Sequence, residues 1–245
     1  MSKTAFIITT PHAPKQDPLP GAQRDADDWH AFLLSPEGGA WNEDEIQMHV
    51  DNQPMLIKLA LSVASTRQLD YALLAFCGHG RSISQSGTTE LYLDETHSLH
   101  DYGLTVKARR ELVIIDACRE YAGDIPQKEL LKRAMLNCSA ALEDEDRRQK
   151  ARELFERDLV RTPEGRTLVF SCEAGQTAAD VPSSFTQYLI SDAKGLAGND
   201  RLVRTISIKE AFDVAEGKPA QINYPQKPVY NGQRRSTHIP FAVSI

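Results

Sequence analysis

The chain of 245 residues contains no stretch of about 18 consecutive apolar residues that could cross a bilayer. Its first residues, MSKTAFIITTPH, lack the apolar stretch of roughly 7 to 15 residues found in a secretory leader. Positive charge is not in excess: 28 Lys and Arg stand against 34 Asp and Glu, for a formal net charge of −6 with the two signs intermixed. Neither nucleic acid nor an anionic membrane surface is therefore expected as a partner. Cysteine is sparse, and Cys77, Cys118, Cys138 and Cys172 form no CxxC pair or zinc-ligand spacing, so reduced thiols are expected. The patterns H-E-x-x-H and G-x-x-x-x-G-K-[ST] are absent, which removes support for a zinc hydrolase or a phosphate-loop enzyme. These absences together predict a cytoplasmic protein without a membrane anchor. The sequon Asn137-Cys138-Ser139 is then a chance match.

What is present is a rhythm. Five short apolar runs, at 4–10, 45–50, 70–76, 111–116 and 166–172, show little alternation, as strands covered on both faces do. Helical spacing falls between and after them, at Ala26–Leu34, Met55–Ser65, Glu129–Leu142, Arg152–Val160 and Ser184–Ala193. Strand alternating with helix predicts an α/β three-layer sandwich around a mostly parallel sheet of about six strands. A chain of this size in one domain buries roughly 70 to 75% of the surface its unfolded form exposes. The Pro-rich tail from Tyr224 to Ile245 reads as a long loop leading to a final edge strand.

Reactive groups of parallel sheets gather past the carboxyl ends of the strands. His79, set between two glycines in FCGHGRS, follows the third run, and Cys118, in ELVIIDACRE, follows the fourth. An imidazole and a thiol on two consecutive strands can face one crevice. Cysteine as a nucleophile needs a proton acceptor and N–H donors for the oxyanion formed when a carbonyl is attacked. His79 supplies the first, and the backbone N–H groups of Gly80 and Cys118 supply the second. The chemistry that follows is acyl transfer, most simply peptide hydrolysis. Taken singly, a strand-end histidine is more often structural and a lone cysteine more often a small core residue; the signal lies in the pairing.

The sequence resembles the caspase-like cysteine peptidases, which include caspases, metacaspases and their bacterial relatives. Ala117-Cys118-Arg119 matches the middle of Q-A-C-R-G, and His-Gly precedes Cys as in that family. LPGAQRDA (19–26) resembles the metacaspase segment L-x-G-x-x-N-D-A, SCEAGQTAAD (171–180) resembles G-C-x-D-D-Q-T-S-A-D, and FTQYLI (185–190) stands where the family opens a helix with F-T. The resemblance spans nearly the whole chain. It implies a cysteine endopeptidase with protein or peptide substrates and no required cofactor, with calcium as a candidate activator.

Departures bear on specificity. Caspases hold an aspartate side chain with an arginine and a glutamine at the positions occupied here by Leu19 and Asp116. Asp116 would repel an acidic P1 residue and makes a natural floor for Arg or Lys. Metacaspases line such a pocket with residues matching Asp116, Asp25 and Cys77, so cleavage after Arg or Lys is the implied preference. The bland readings are that Asp25 favours the first turn of a helix and Asp116 orients a loop. Glu120 stands in place of the motif's glycine and Ala174-Gly175 in place of an acidic pair, with Glu173 a substitute rim carboxylate.

The resemblance divides the 1–245 domain into a large-subunit-like part (1–138), a linker (139–166) and a small-subunit-like part (167–245). The charged linker reads as a solvated helix with i,i+4 ion pairs or as an exposed cleavage site. Relatives are often zymogens, and since 245 residues are expected to leave no room for a recruitment module, an activating protease, ion or signalling partner is implied. Short bacterial relatives suggest a role in antiviral defence or cell death. Two alternatives stand: a catalytically idle caspase-like interaction module, or another peptidase of this arrangement such as a CHAT, separase or clostripain relative.

Overall fold

The computed structural model describes residues 1–83, 87–120, 145–178, 185–218, 226–232 and 236–245. Its center is a six-stranded sheet built from β1 (Lys3–Thr10), β2 (Ile46–Val50), β3 (Tyr71–Gly78), β7 (Arg110–Ala117), β8 (Gly165–Phe170) and β10 (Val229–Asn231). The spatial order is β10-β8-β7-β3-β1-β2, parallel throughout except for antiparallel β10 at one edge. Strands β1 and β3 are buried along all eight residues, which is why their sequences are apolar runs without alternation.

Alternation survives as a division between two cores. Tyr71, Leu73, Ala75 and Cys77 of β3, with Leu112 and Ile114 of β7, point toward a layer formed by α1 (Ala22–Leu34), α3 (Glu145–Arg161), α4 (Phe185–Asn199) and α5 (Ile208–Ala215). Ala72, Leu74, Phe76, Val113, Ile115 and Ala117 point the other way, onto α2 (Pro54–Ser65) and the loop around Leu104 and Val106. These two layers sandwich the sheet, the expected α/β architecture.

Two smaller sheets had no counterpart in the sequence reading. A three-stranded sheet, β4 (Gly80–Ile83), β5 (Thr88–Tyr92) and β6 (Ser98–His100), leaves the main sheet directly after His79. The final strand β11 (Pro240–Ser244) pairs antiparallel with β9 (Arg204–Ser207) in a separate two-stranded sheet. The expectation of a last strand at the sheet edge is corrected here: β10 takes that edge, and buried β11 packs among α3, α4 and Trp29. The charge-dense stretch is mainly α3, which buries Ala151, Leu154, Phe155 and Leu159. The expected helix at Glu129–Leu142 lies outside the described residues. Among the described residues no helix is long and apolar enough to cross a membrane.

Candidate active site

The register of two neighbouring strands builds the site. Cys77 pairs with Asp116 and Gly78 with Ala117 in the parallel β3–β7 ladder, so the next residue on each strand is His79 on one side and Cys118 on the other. Parallel strands lie about 4.8 Å apart, which brings the imidazole and the thiol to one end of the sheet. Both stand two places after Cys77 and Asp116, just past the ends of their strands.

The imidazole is held from the first loop. Nε2 of His79 lies 3.1 Å from the carbonyl oxygen of Asp17. A carbonyl only accepts, so Nε2 carries the proton in this contact. His79 is 5% exposed, whereas Cys118 is half-buried with its thiol donating to the Ala178 carbonyl at 3.7 Å. The glycine after His79 is required by closeness: a Cβ on Gly80 would sit 2.9 Å from the Cys118 carbonyl and 3.1 Å from the Ala117 Cβ.

The segment carrying Cys118 is clamped on both sides. Ser82 of β4 donates its hydroxyl to the Arg119 carbonyl at 2.6 Å and its N–H to the Glu120 carbonyl at 2.9 Å. From the loop after β8, the Gln176 carbonyl accepts the Arg119 N–H at 2.8 Å and the Gly175 N–H donates to the Arg119 carbonyl at 2.6 Å. The buried guanidinium of Arg119 donates to the Thr89 hydroxyl, the Cys172 carbonyl and the Gly87 carbonyl at 2.9, 3.1 and 2.8 Å. It also lies 4.1 Å from the Phe170 ring centroid. Sequence reasoning used Arg119 as a motif letter only; a lone arginine after an apolar strand was its one physical signal.

The two expected acids are both buried. Asp25 on α1 and Asp116 at the end of β7 are 3% and 7% exposed. Burial pushes the Cys77 thiol well up, and the nearby charges of Asp25 and Asp116 push it the same way. Asp116 Oδ2 accepts the Thr186 N–H at 2.8 Å, so it caps α4 at its amino end, where the helix dipole favours a negative charge. Thr186 Oγ1 lies 3.5 Å from Cys77 Sγ, and Gln187 donates its amide N–H to Asp25 Oδ1 at 3.4 Å. Thr186 and Gln187 went unassigned in the sequence, although the F-T pair marked the helix start.

Glu173, the expected rim carboxylate, accepts a hydrogen bond from Lys227 at 2.7 Å in an exposed ion pair. Cys172 is fully buried against the Ala117 and Gln176 carbonyls, and burial, with Cys118 nearby, pushes its thiol up to about 12. It is thereby kept as an inert thiol. Among the described residues no three His, Cys, Asp or Glu side chains gather as a metal-binding group.

A family model described as caspase domain matches residues 2–236. No curated protein matches the chain. Among solved structures, the crystal structure of caspase-1 from Spodoptera frugiperda is similar, with a TM-score of 0.59 at 17% identity, covering 95% of this chain and 88% of that one. The structure of pro-sf-caspase-1 aligns with a TM-score of 0.54 at 14% identity, covering 94% and 87%. With its sheet order, its helical layers and a family match over nearly its whole length, the chain belongs to the caspase-domain family of cysteine peptidases.

Proposed function

We propose that this protein is a cysteine endopeptidase cutting after Arg or Lys, with Cys118 as nucleophile and His79 as general base and acid. The observation that supports this reading is the β3–β7 register, which puts His79 and Cys118 each one residue past a paired position of two neighbouring strands, together with the burial of Asp25 and Asp116. Nδ1 of His79 takes the Cys118 proton, the thiolate attacks the scissile carbonyl, and the N–H groups of Gly80 and Cys118 stabilise the oxyanion. The protonated imidazole gives its proton to the leaving amine, and water then hydrolyses the thioester, regenerating the thiol. Asp17 orients the ring throughout through its carbonyl. A P1 guanidinium or ammonium is held by Asp116 and Asp25 beside Cys77.

Control by a partner, a protease or calcium, and a role in bacterial defence, rest on the family resemblance. The direct test is a panel of fluorogenic peptides with Arg, Lys, Asp or Leu at P1, with and without calcium, on wild type and Cys118→Ala. Turnover of the Arg and Lys peptides by wild type alone is expected. Cleavage after Asp sinks the pocket assignment, and equal turnover by the variant sinks Cys118 as nucleophile.

A further inference from the structure

The β3–β7 ladder ends at the pair Gly78–Ala117, one residue short of both His79 and Cys118. Beyond that pair one chain turns into β4 and the other runs on as residues 118–120. Ser82 of β4 rejoins them: its N–H donates to the Glu120 carbonyl at 2.9 Å and its hydroxyl donates to the Arg119 carbonyl at 2.6 Å. The ring so closed, Gly78 to Ser82 on one chain and Ala117 to Glu120 on the other, contains both reacting residues. Ser82 also faces Thr89 across the β4–β5 ladder, and residues directly opposite in an antiparallel pair share one face. The Thr89 hydroxyl accepts from Arg119 Nε at 2.9 Å, so two buried hydroxyls address one residue, one at its backbone and one at its side chain.

We infer that Ser82 is a positioning residue: its hydroxyl sets the residue after the nucleophile against the strand that follows the base, and so holds thiol and imidazole within reach of each other. This rests on the reading of Cys118 and His79 as nucleophile and base. The Arg119 carbonyl also accepts the Gly175 N–H at 2.6 Å, so removing the Ser82 hydroxyl does not orphan that oxygen. The two donors differ in where they come from. Gly175 reaches the carbonyl from the loop after β8, whereas Ser82 reaches it from the chain that carries His79. Loss of the hydroxyl therefore spares most of the stability and loosens the spacing of the pair, where a misplacement of about 1 Å costs up to roughly 100-fold in rate.

A cysteine is alkylated as its thiolate, so the rate reports how well the imidazole takes the thiol proton. The test follows iodoacetamide alkylation of Cys118 by mass spectrometry in wild type, Ser82→Ala, Ser82→Thr, His79→Ala and the Ser82→Ala/His79→Ala double variant, with melting temperatures beside the rates. Ser82→Ala is expected to slow alkylation at least threefold while the melting temperature falls by no more than about 4 °C. Ser82→Thr, which keeps the hydroxyl, is expected to slow it less than threefold. In the His79→Ala background the Ser82→Ala change is expected to add less than threefold, because residues that act through one contact are not additive. A slowing under threefold by Ser82→Ala, an equal slowing with and without His79, a Ser82→Thr protein as slow as Ser82→Ala, or a Ser82→Ala chain that does not fold each overturns the positioning role. If His79→Ala itself alkylates as fast as wild type, the reading of His79 as base fails first and Ser82 with it.

Discussion

Nη1 of Arg119 donates to the carbonyl of Cys172 at 3.1 Å, tying the residue after the proposed nucleophile to the loop that follows β8. With Thr89 and Gly87 also held, one side chain joins the β4–β5 hairpin, the β7 tip and the β8 tip. Arg119→Met leaves these acceptors without their cation, at a cost of about 3 kcal/mol. For a chain of this size, that lowers the melting temperature by roughly 6 to 12 °C, and calorimetry checks it. A melting temperature within about 2 °C of wild type shows that Arg119 is not a structural tie.

Asp116 is asked to do two things, and substitutions separate them. Asp116→Asn keeps an oxygen for the Thr186 N–H and loses the charge, so stability changes little. The loss of charge assistance costs roughly 1.5 to 3 kcal/mol in kcat/KM for an arginine peptide, about 10- to 150-fold. Asp116→Ala adds the loss of the helix cap, about 1 kcal/mol in stability. Equal kcat/KM for wild type and Asp116→Asn would reduce Asp116 to a cap alone.

At the opposite end of the sheet, Arg152 grips Glu45 with both Nη atoms, at 2.7 and 2.5 Å. Burial alone would raise the Glu45 carboxyl, but the hydrogen bonds from Arg152 and the Asn42 N–H, with Lys3 beside it, outweigh that and hold it below its ordinary 4.5. A carboxyl lowered in the folded state stabilises the protein above its unfolded value and loses that contribution as pH falls through the lowered one. The melting-temperature gap between wild type and Arg152→Met is therefore widest near pH 7 and narrows below about 4.5. A gap independent of pH would discount the pair.

Self-processing has a structural limit. Arg147, Arg148, Lys150, Arg152, Arg157 and Arg161 all lie in α3, and Arg166 lies in β8. A peptidase takes its substrate extended, so cutting after these residues requires the helix to melt or the sheet to open. On a gel of wild type beside Cys118→Ala over time, no fragment dependent on Cys118 is expected to end at a basic residue between 147 and 166. One such fragment, identified by mass spectrometry, overturns this. Residues 139–144 of the segment lie outside the described residues.

Strands β1, β3 and β7 were legible because strands buried on both faces leave unbroken apolar runs, and half-buried β2 and β8 still carried short apolar runs. His79 and Cys118 were legible as strand-end residues of that pattern. The β4–β6 sheet was not, since GRSI, TTELY and SLH are short, mixed in polarity and paired only within their own small sheet. β9 and β10, of four and three residues, fall below the length at which a pattern shows. The partners of the acids were invisible for another reason. Asp116 and Thr186 are 70 positions apart and Asp25 and Gln187 are 162 apart, and only tertiary packing joins them.

The same long reach orders events during synthesis. The imidazole and the sulfur leave the ribosome well before the carbonyl that receives Arg119 and the helix that meets Asp116, which trail Cys118's neighbours by 53 and 70 positions. At roughly 5 to 20 residues per second, several seconds separate the two groups. A nascent or prematurely terminated chain that stops before Cys172 carries both side chains but lacks the carbonyl that holds Arg119 and the helix that meets Asp116, so the proposed activity waits on the last third of the chain.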